Sequence, residues 1–184
     1  MALPRDYTGQ NCSLARSLEL VGERWTLLIV RDAFYGVRRF SDFLAHLHIP
    51  RAVLTDRLAG LVAAGILARE QETGSHGEYV TTQQARDLWP VVHSLIAWGD
   101  AYCADKGPRR VFTHTPCGTT VGQMSFCPSC GVPAGVADLT VLPGPGLEDE
   151  EVTDPVTAAL AVPHRMLEPI NTRHAGRPVV PAAP

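Results

Sequence analysis

Four residues near the middle of the chain carry the donor types and spacing of a metal site. His114-x2-Cys117 and Cys127-x2-Cys130 form two short knuckles separated by nine residues, each followed by a glycine, Gly118 or Gly131, with Pro128 inside the second. A Cys-Pro-x-Cys-Gly turn aims both sulfurs at one point and leaves backbone N–H groups free to bond to the thiolates. Two such turns close a tetrahedral site of the kind that holds Zn²⁺. With His114, Cys117, Cys127 and Cys130 all ligating, no coordination position stays open, so the expected ion is structural. Thiolates and imidazole suit zinc, and iron also takes such donors. His114 is the weaker ligand, because a surface histidine would read the same way. No general base, nucleophile pair or Gly-rich phosphate loop lies near residues 111–142, and the chain is not expected to be an enzyme.

The other cysteines read differently. Cys12 falls at the N-terminus of an expected helix, where the backbone dipole favours a thiolate; it is either a redox-sensing thiol or an inert, partly buried residue. Cys103, on an apolar helix face, is expected to pack. His46, His48 and His93 read as turn, surface or core residues rather than ligands. Five cysteines, three of them between 117 and 130, are too few and too clustered for a disulfide framework, and a cytoplasmic setting follows. Neither an apolar leader in residues 1–10 nor an aliphatic run of membrane-spanning length is present.

The elements that must position this cluster come from 184 residues, enough for one or two domains. The net charge of −3 is uneven: residues 1–137 carry 13 Lys+Arg against 12 Asp+Glu, and residues 138–184 carry 3 against 7. The acidic excess therefore belongs to the C-terminal part, where eight of the fifteen prolines also lie. Four zones follow: an N-terminal arm over 1–11, a helical domain over 12–106, the cysteine-bearing segment over 110–142, and an acidic, Pro-rich tail over 143–184, expected to be flexible apart from a short helix between Pro155 and Pro163.

Within the helical zone, Ser13 to Val21 reads as a helix interrupted at Gly22, and Arg24 to Tyr35 as a second, closed by Gly36 in a left-handed C-terminal position. Phe40, Phe43, Leu44 and Leu47 fall at i, i+3, i+4 and i+7, a third short amphipathic helix. After His48-Ile49-Pro50 comes Arg51 to Ala64, with Leu54, Leu58, Leu61 and Val62 on one face and Arg51, Thr55, Asp56 and Arg57 on the other. Ile66 to Glu70 and Glu78 to Thr82 are strands joined by a connection with two glycines, a hairpin signal. Gln83 to Lys106 is helical, with a break at Pro90. Two helices joined by a tight turn and followed by a Gly-tipped hairpin make a winged helix-turn-helix. The fold class expected is mainly α with a small β-hairpin wing, followed by a small β-rich zinc ribbon.

The residues also carry a resemblance. Cys12-Ser13-Leu14-Ala15, Val21-Gly22-Glu23-Arg24-Trp25-Thr26-Leu27-Leu28-Ile29, Arg38-Arg39-Phe40-Ser41-Asp42-Phe43, Leu54-Thr55-Asp56-Arg57-Leu58, Tyr79-Val80-Thr81, Leu88-Trp89-Pro90-Val91-Val92 and Trp98-Gly99 resemble the HxlR-type winged-helix transcriptional regulators of bacteria. Ala85 stands where that family usually has glycine. The segment 110–142 resembles a zinc ribbon of the rubredoxin-like kind. The first resemblance implies a cytoplasmic homodimer that binds double-stranded operator DNA as an inverted repeat, pairs through its terminal helices and reads bases with Arg51 to Ala64. It also implies a wing at Thr73 to Gly77 and, in some relatives, a redox-sensing cysteine at the position of Cys12.

The candidate DNA contacts divide by role. Arg51, Thr55 and Arg57 lie near the start of the recognition helix, where base edges are within reach. Arg38, Arg39 and Ser41 open the supporting helix and suit phosphates. His76 sits at the wing tip. Arg57 has an alternative, pairing with a carboxylate to brace its helix, and Arg24 reads as structural. A small-molecule effector held between helices is compatible with this function. The rival from another class is a protein-interaction adaptor that keeps the fold and uses the ribbon to hold a partner.

Overall fold

The computed structural model describes residues 7, 9–71, 77–147 and 151–172. Seven helices and seven strands follow one another in the described chain. They begin with α1 (Ser13–Val21), α2 (Thr26–Phe34), α3 (Phe40–Leu47) and α4 (Arg51–Ala63). Helix α2 begins two residues later than the apolar pattern implies, because Trp25 takes a left-handed φ of 80° and cannot join the helical ladder. The hairpin β1 (Leu67–Glu70) and β2 (Glu78–Thr81) pairs antiparallel, Leu67 opposite Thr81 and Glu70 opposite Glu78. Thr82 caps α5 (Gln83–Asp87), its hydroxyl oxygen accepting the Ala85 N–H. The expected break at Pro90 is found: α6 (Trp89–Tyr102) starts anew with the proline in its first turn, where a missing N–H costs nothing.

Beyond α6, β3 (Arg110–His114), β6 (Leu139–Pro143) and β7 (His164–Arg165) form an antiparallel sheet in the order β3-β6-β7. The pair β4 (Phe126–Cys127) and β5 (Val132–Pro133) forms a separate hairpin. The ribbon and the helical part share one core. Trp89 meets Phe34 edge-on at 5.6 Å and Phe112 of β3 at 5.1 Å, and Tyr35 stacks on Phe112 at 6.5 Å. The indole Nε1–H of Trp89 donates to the buried Ser125 hydroxyl at 2.8 Å, which in turn donates to the Ala134 carbonyl at 2.9 Å.

The short helix expected between Pro155 and Pro163 is present as α7 (Pro155–Ala159), but the segment around it is not the flexible tail expected. Residues 151–172 are folded against the rest: Asp154 caps α7 by accepting the Val156 and Thr157 N–H groups, and Val156, Leu160 and Met166 are buried. The proline count misled because Pro155 occupies a helix start, where its fixed φ is an advantage. Asp154, one of the seven acidic residues over 138–184, is itself buried. Residues 173–184 lie outside the described part.

Asp32 is the one fully buried carboxylate among the described residues. Arg31 donates to its Oδ1 at 2.7 and 2.9 Å, and His46 Nδ1 of α3 lies 2.8 Å from Oδ2, so the group ties α2 to α3. Burial alone would raise this carboxyl, but Arg31 and His46 outweigh it and hold it below the usual carboxylate range. A depressed folded value means that the stabilisation is present above the ordinary pKa of 3.8 and is lost as pH falls through the lower folded value. Asp32→Asn should therefore cost about 2 kcal/mol at neutral pH, discounting for the part-exposed Arg31, and should flatten the acid limb of stability. Urea midpoints followed by circular dichroism at pH 7 and pH 3 check this. An equal loss at both pH values would contradict it.

Candidate nucleic-acid interface and metal centre

The helix pair α3–α4 is joined by a turn in which His48 adopts φ 49° and Pro50 precedes the first residue of α4. Leu54, Leu58 and Leu61 anchor α4 in the core, which turns Arg51, Thr55 and Asp56 outward. The Arg51 guanidinium lies 5.2 Å from the Phe40 ring centre of α3, and the Thr55 hydroxyl rests on the Arg51 carbonyl at 2.9 Å. Among the described residues no carboxylate holds either side chain, so both can reach a ligand with little rearrangement. Ser41 is exposed, its hydroxyl donating weakly to Asp42 at 3.3 Å.

The other candidates are engaged within the molecule. Arg57 pairs with Glu23 at 3.0 Å across the α1–α2 turn, the bracing alternative, and its Nε is buried without a partner. Arg38 and Arg39 both approach Glu78 of the wing, at 3.8 and 3.4 Å, and Arg38 Nη2 also donates to the Leu167 carbonyl at 3.4 Å. Arg24 lies over the Trp25 ring. His76 lies outside the described residues. Sequence reading missed Glu78 and Leu167, since contacts between distant elements leave no local pattern.

Two helical faces are apolar and uncovered. Leu14 and Leu18 share an exposed face of α1, with Leu20 exposed on another side, and Val91, Leu95, Trp98 and Tyr102 of α6 are exposed, the last two 58% and 75%. The α6 residues recur at intervals of three and four, forming one stripe opposite the Val92–His93 side that faces the core. Cys103, expected to pack, is exposed because it stands beyond the last turn of α6. Cys12 is exposed and extended just before α1.

The Cys/His cluster is assembled by the ribbon. β3 delivers a buried His114 and β4 a fully buried Cys127, while the turns that follow deliver Cys117 and Cys130. In each turn the glycine takes φ +70°, and its N–H bonds back to the residue that opens the knuckle: Gly118 to the His114 carbonyl at 2.7 Å and Gly131 to the Cys127 carbonyl at 2.9 Å. His114 Nδ1 lies 3.4 Å from Cys117 Sγ, the Cys117 and Cys127 sulfurs lie 3.5 Å apart, and all four donor atoms fall within 4.8 Å of one another. Tetrahedral thiolates around zinc at about 2.3 Å stand about 3.8 Å apart, so these residues fit such an ion. Hydrogen bonds with Thr119 draw the Cys117 thiol down to about 6, whereas its bond to Cys117 pushes Cys130 up to about 11.

A cavity of about 260 Å³ lies between α6 and the ribbon, bordered by His93, Ile96, Asp100, Arg110, Phe112 and Val121. Burial lowers the His93 imidazole, favouring the neutral ring. Among the described residues, no helix is long and apolar enough to cross a membrane.

Comparison with known proteins sets this geometry in context. The family model described as HxlR-like helix-turn-helix matches residues 20–107. Uncharacterised HTH-type transcriptional regulators of Mycobacterium bovis, Mb3122, and Mycobacterium tuberculosis, Rv3095, are each 41% identical over 139 residues, covering 74% of this chain and 88% of the relative. The crystal structure of PA1607, a candidate transcription factor, aligns with a TM-score of 0.59 at 33% identity, over 69% of this chain and 91% of that one.

Proposed function

Because the chain belongs to the HxlR-like helix-turn-helix family of transcriptional regulators, we propose that it works as a homodimer that binds an inverted-repeat operator in double-stranded DNA. The observation that carries this reading is the outward face of α4, where Arg51 and Thr55 stand exposed with no carboxylate of the described residues holding them. Pairing falls to the uncovered apolar faces of α1 and α6, because an isolated monomer would leave a large hydrophobic patch in water. Two-fold symmetry then sets the half-site centres about 10 bp apart or a multiple of that.

Arg51 and Thr55 read bases, with Ser41 on phosphate. Arg38 and Arg39 reach phosphate by exchanging their shared Glu78 for the backbone, Arg57 braces α4, and His76 meets DNA from the wing. The ion held by His114, Cys117, Cys127 and Cys130 is Zn²⁺ in a structural role. No residues are assigned to catalysis. Residues 12–106 form the DNA-binding and pairing unit and 110–142 the ribbon, and the protein acts in the cytoplasm. Cys12, exposed before α1, is the candidate redox thiol, and the cavity beside His93 is the place for a small effector. A second reading, an adaptor that binds a protein through the ribbon, draws on the exposed Met124, Phe126 and Val132.

Selection from random DNA, followed by mobility shifts across a salt series, tests the regulator reading. Arg51→Ala or Thr55→Ala should lose about 1–3 kcal/mol of discrimination between selected and random DNA. Arg39→Ala should weaken both similarly and flatten the salt dependence. If the wild-type protein enriches no sequence, the adaptor reading takes its place.

A further inference from the structure

We propose that residues 164–172 act as a strap through which the metal cluster positions the DNA-reading helices, so that occupancy of the cluster sets operator affinity. The proposal rests on the DNA-binding reading above. Its starting point is a short path of bonds. His114, a cluster ligand, sits opposite Leu139 in the β3–β6 ladder, and the Leu139 carbonyl accepts the Met166 N–H at 2.9 Å. The next residue, Leu167, donates its N–H to the Phe34 carbonyl at 2.8 Å, at the last turn of α2. One strand and one residue therefore separate the metal ligand from the helix-turn-helix unit.

The strap then follows the α2–α3 connection closely. Ile170 N–H donates to the Gly36 carbonyl at 3.0 Å, Arg38 Nη2 reaches the Leu167 carbonyl, and the Thr172 hydroxyl donates to Asp42 Oδ2 of α3 at 3.2 Å. The Glu168 carbonyl lies so close to Gly36 that a Cβ there would stand 1.7 Å from it, and Gly36 has φ +89°. Leu167 itself is held at φ +68°, a conformation that a leucine keeps only when its surroundings impose it. The segment so gripped leads directly into Phe40, whose ring lies against Arg51, and Ser41. The strap is thus fixed at one end by the sheet that carries His114 and at the other by the backbone that aims α3 and supports α4.

Losing the ion frees the His114 knuckle, loosens the β3–β6–β7 sheet and releases the strap, while the core around Ile29, Val30 and Leu54 stays closed. The residues of the strap are positioning residues, acting through the backbone around Gly36 and through Asp42.

Hydrogen exchange on the full-length protein, zinc-loaded and then chelator-stripped, tests the coupling, alongside binding to DNA selected by the zinc-loaded protein. Stripping should speed exchange at Leu167 and Ile170 at least about tenfold, leave Ile29 and Val30 protected, and weaken selected-DNA binding about tenfold or more. Gly36→Ala should reproduce the loss of DNA affinity with about one zinc per chain retained, and Ile170→Pro, which removes a donor without altering the α2–α3 backbone, provides a second route if Gly36→Ala fails to fold. Unchanged exchange at Leu167 and Ile170 after stripping overturns the proposal, as does faster exchange with unchanged affinity. If zinc-loaded wild type selects no sequence, the DNA-binding reading fails and the affinity claim with it, while the exchange result still decides whether cluster and strap are coupled.

Discussion

Replacing Cys127 with serine is expected to reduce bound metal from about one ion per chain to a trace. Apparent binding energies of structural zinc sites are about 10–16 kcal/mol, so one of four ligands contributes about 3–4 kcal/mol, or roughly 100- to 1,000-fold in affinity. Cys127 is fully buried, and serine there supplies a poor donor where water cannot easily compensate. His114→Ala should lose metal as well, because the imidazole is buried against Cys117 rather than spread on the surface. Metal analysis after gel filtration under reducing conditions gives the result. The effect should extend past the ribbon: Phe112 and Ser125 both contact Trp89, so the Cys127→Ser protein should also show red-shifted tryptophan emission. A Cys127→Ser protein that keeps its metal, or wild type that stays metal-free when folded in excess zinc, refutes the assignment.

The second large effect concerns pairing. Leu95→Asp places a charge in the middle of the exposed α6 stripe, and a two-fold interface contains that change twice. At about 1–3 kcal/mol per buried polar group, the dimer should lose about 2–6 kcal/mol, enough to raise its dissociation constant by about 30-fold or more. Sedimentation equilibrium should show a monomer at concentrations where wild type is dimeric, and binding to an inverted repeat should fall to the level of a single half-site. A wild-type chain that sediments as a monomer at every concentration would remove the basis for an inverted repeat.

Local chemistry was readable from the residues, and long-range closure was not. The apolar spacing of Phe40, Phe43, Leu44 and Leu47 gave α3 its observed bounds, and Ser13 to Val21 gave α1. The Cys-Pro-x-Cys-Gly turn carried its own geometry, since glycine at φ +70° and the two sulfurs are set within five residues. By contrast, β7 has two residues and no periodicity, and the importance of the segment it opens comes from the bonds of Leu167 to Phe34 and Ile170 to Gly36 across more than a hundred residues. Arg38 and Arg39 show the same limit at side-chain level. As a sequence they are an exposed basic pair, and only the return of β2 past the α2–α3 connection brings Glu78 to them.

The strap also bears on how the protein is made. Arg38 and Leu167 stand 129 positions apart, so the helix-turn-helix unit, complete in sequence early in translation, meets its strap partners only after the chain has left the ribosome through residue 172. Such a high-separation contact forms late and slowly, because the loop it closes costs entropy that only the finished core repays. Chains cut short within the ribbon or just beyond it would carry an unstrapped reading head, and competence for recognition would thereby report that synthesis had passed the strap.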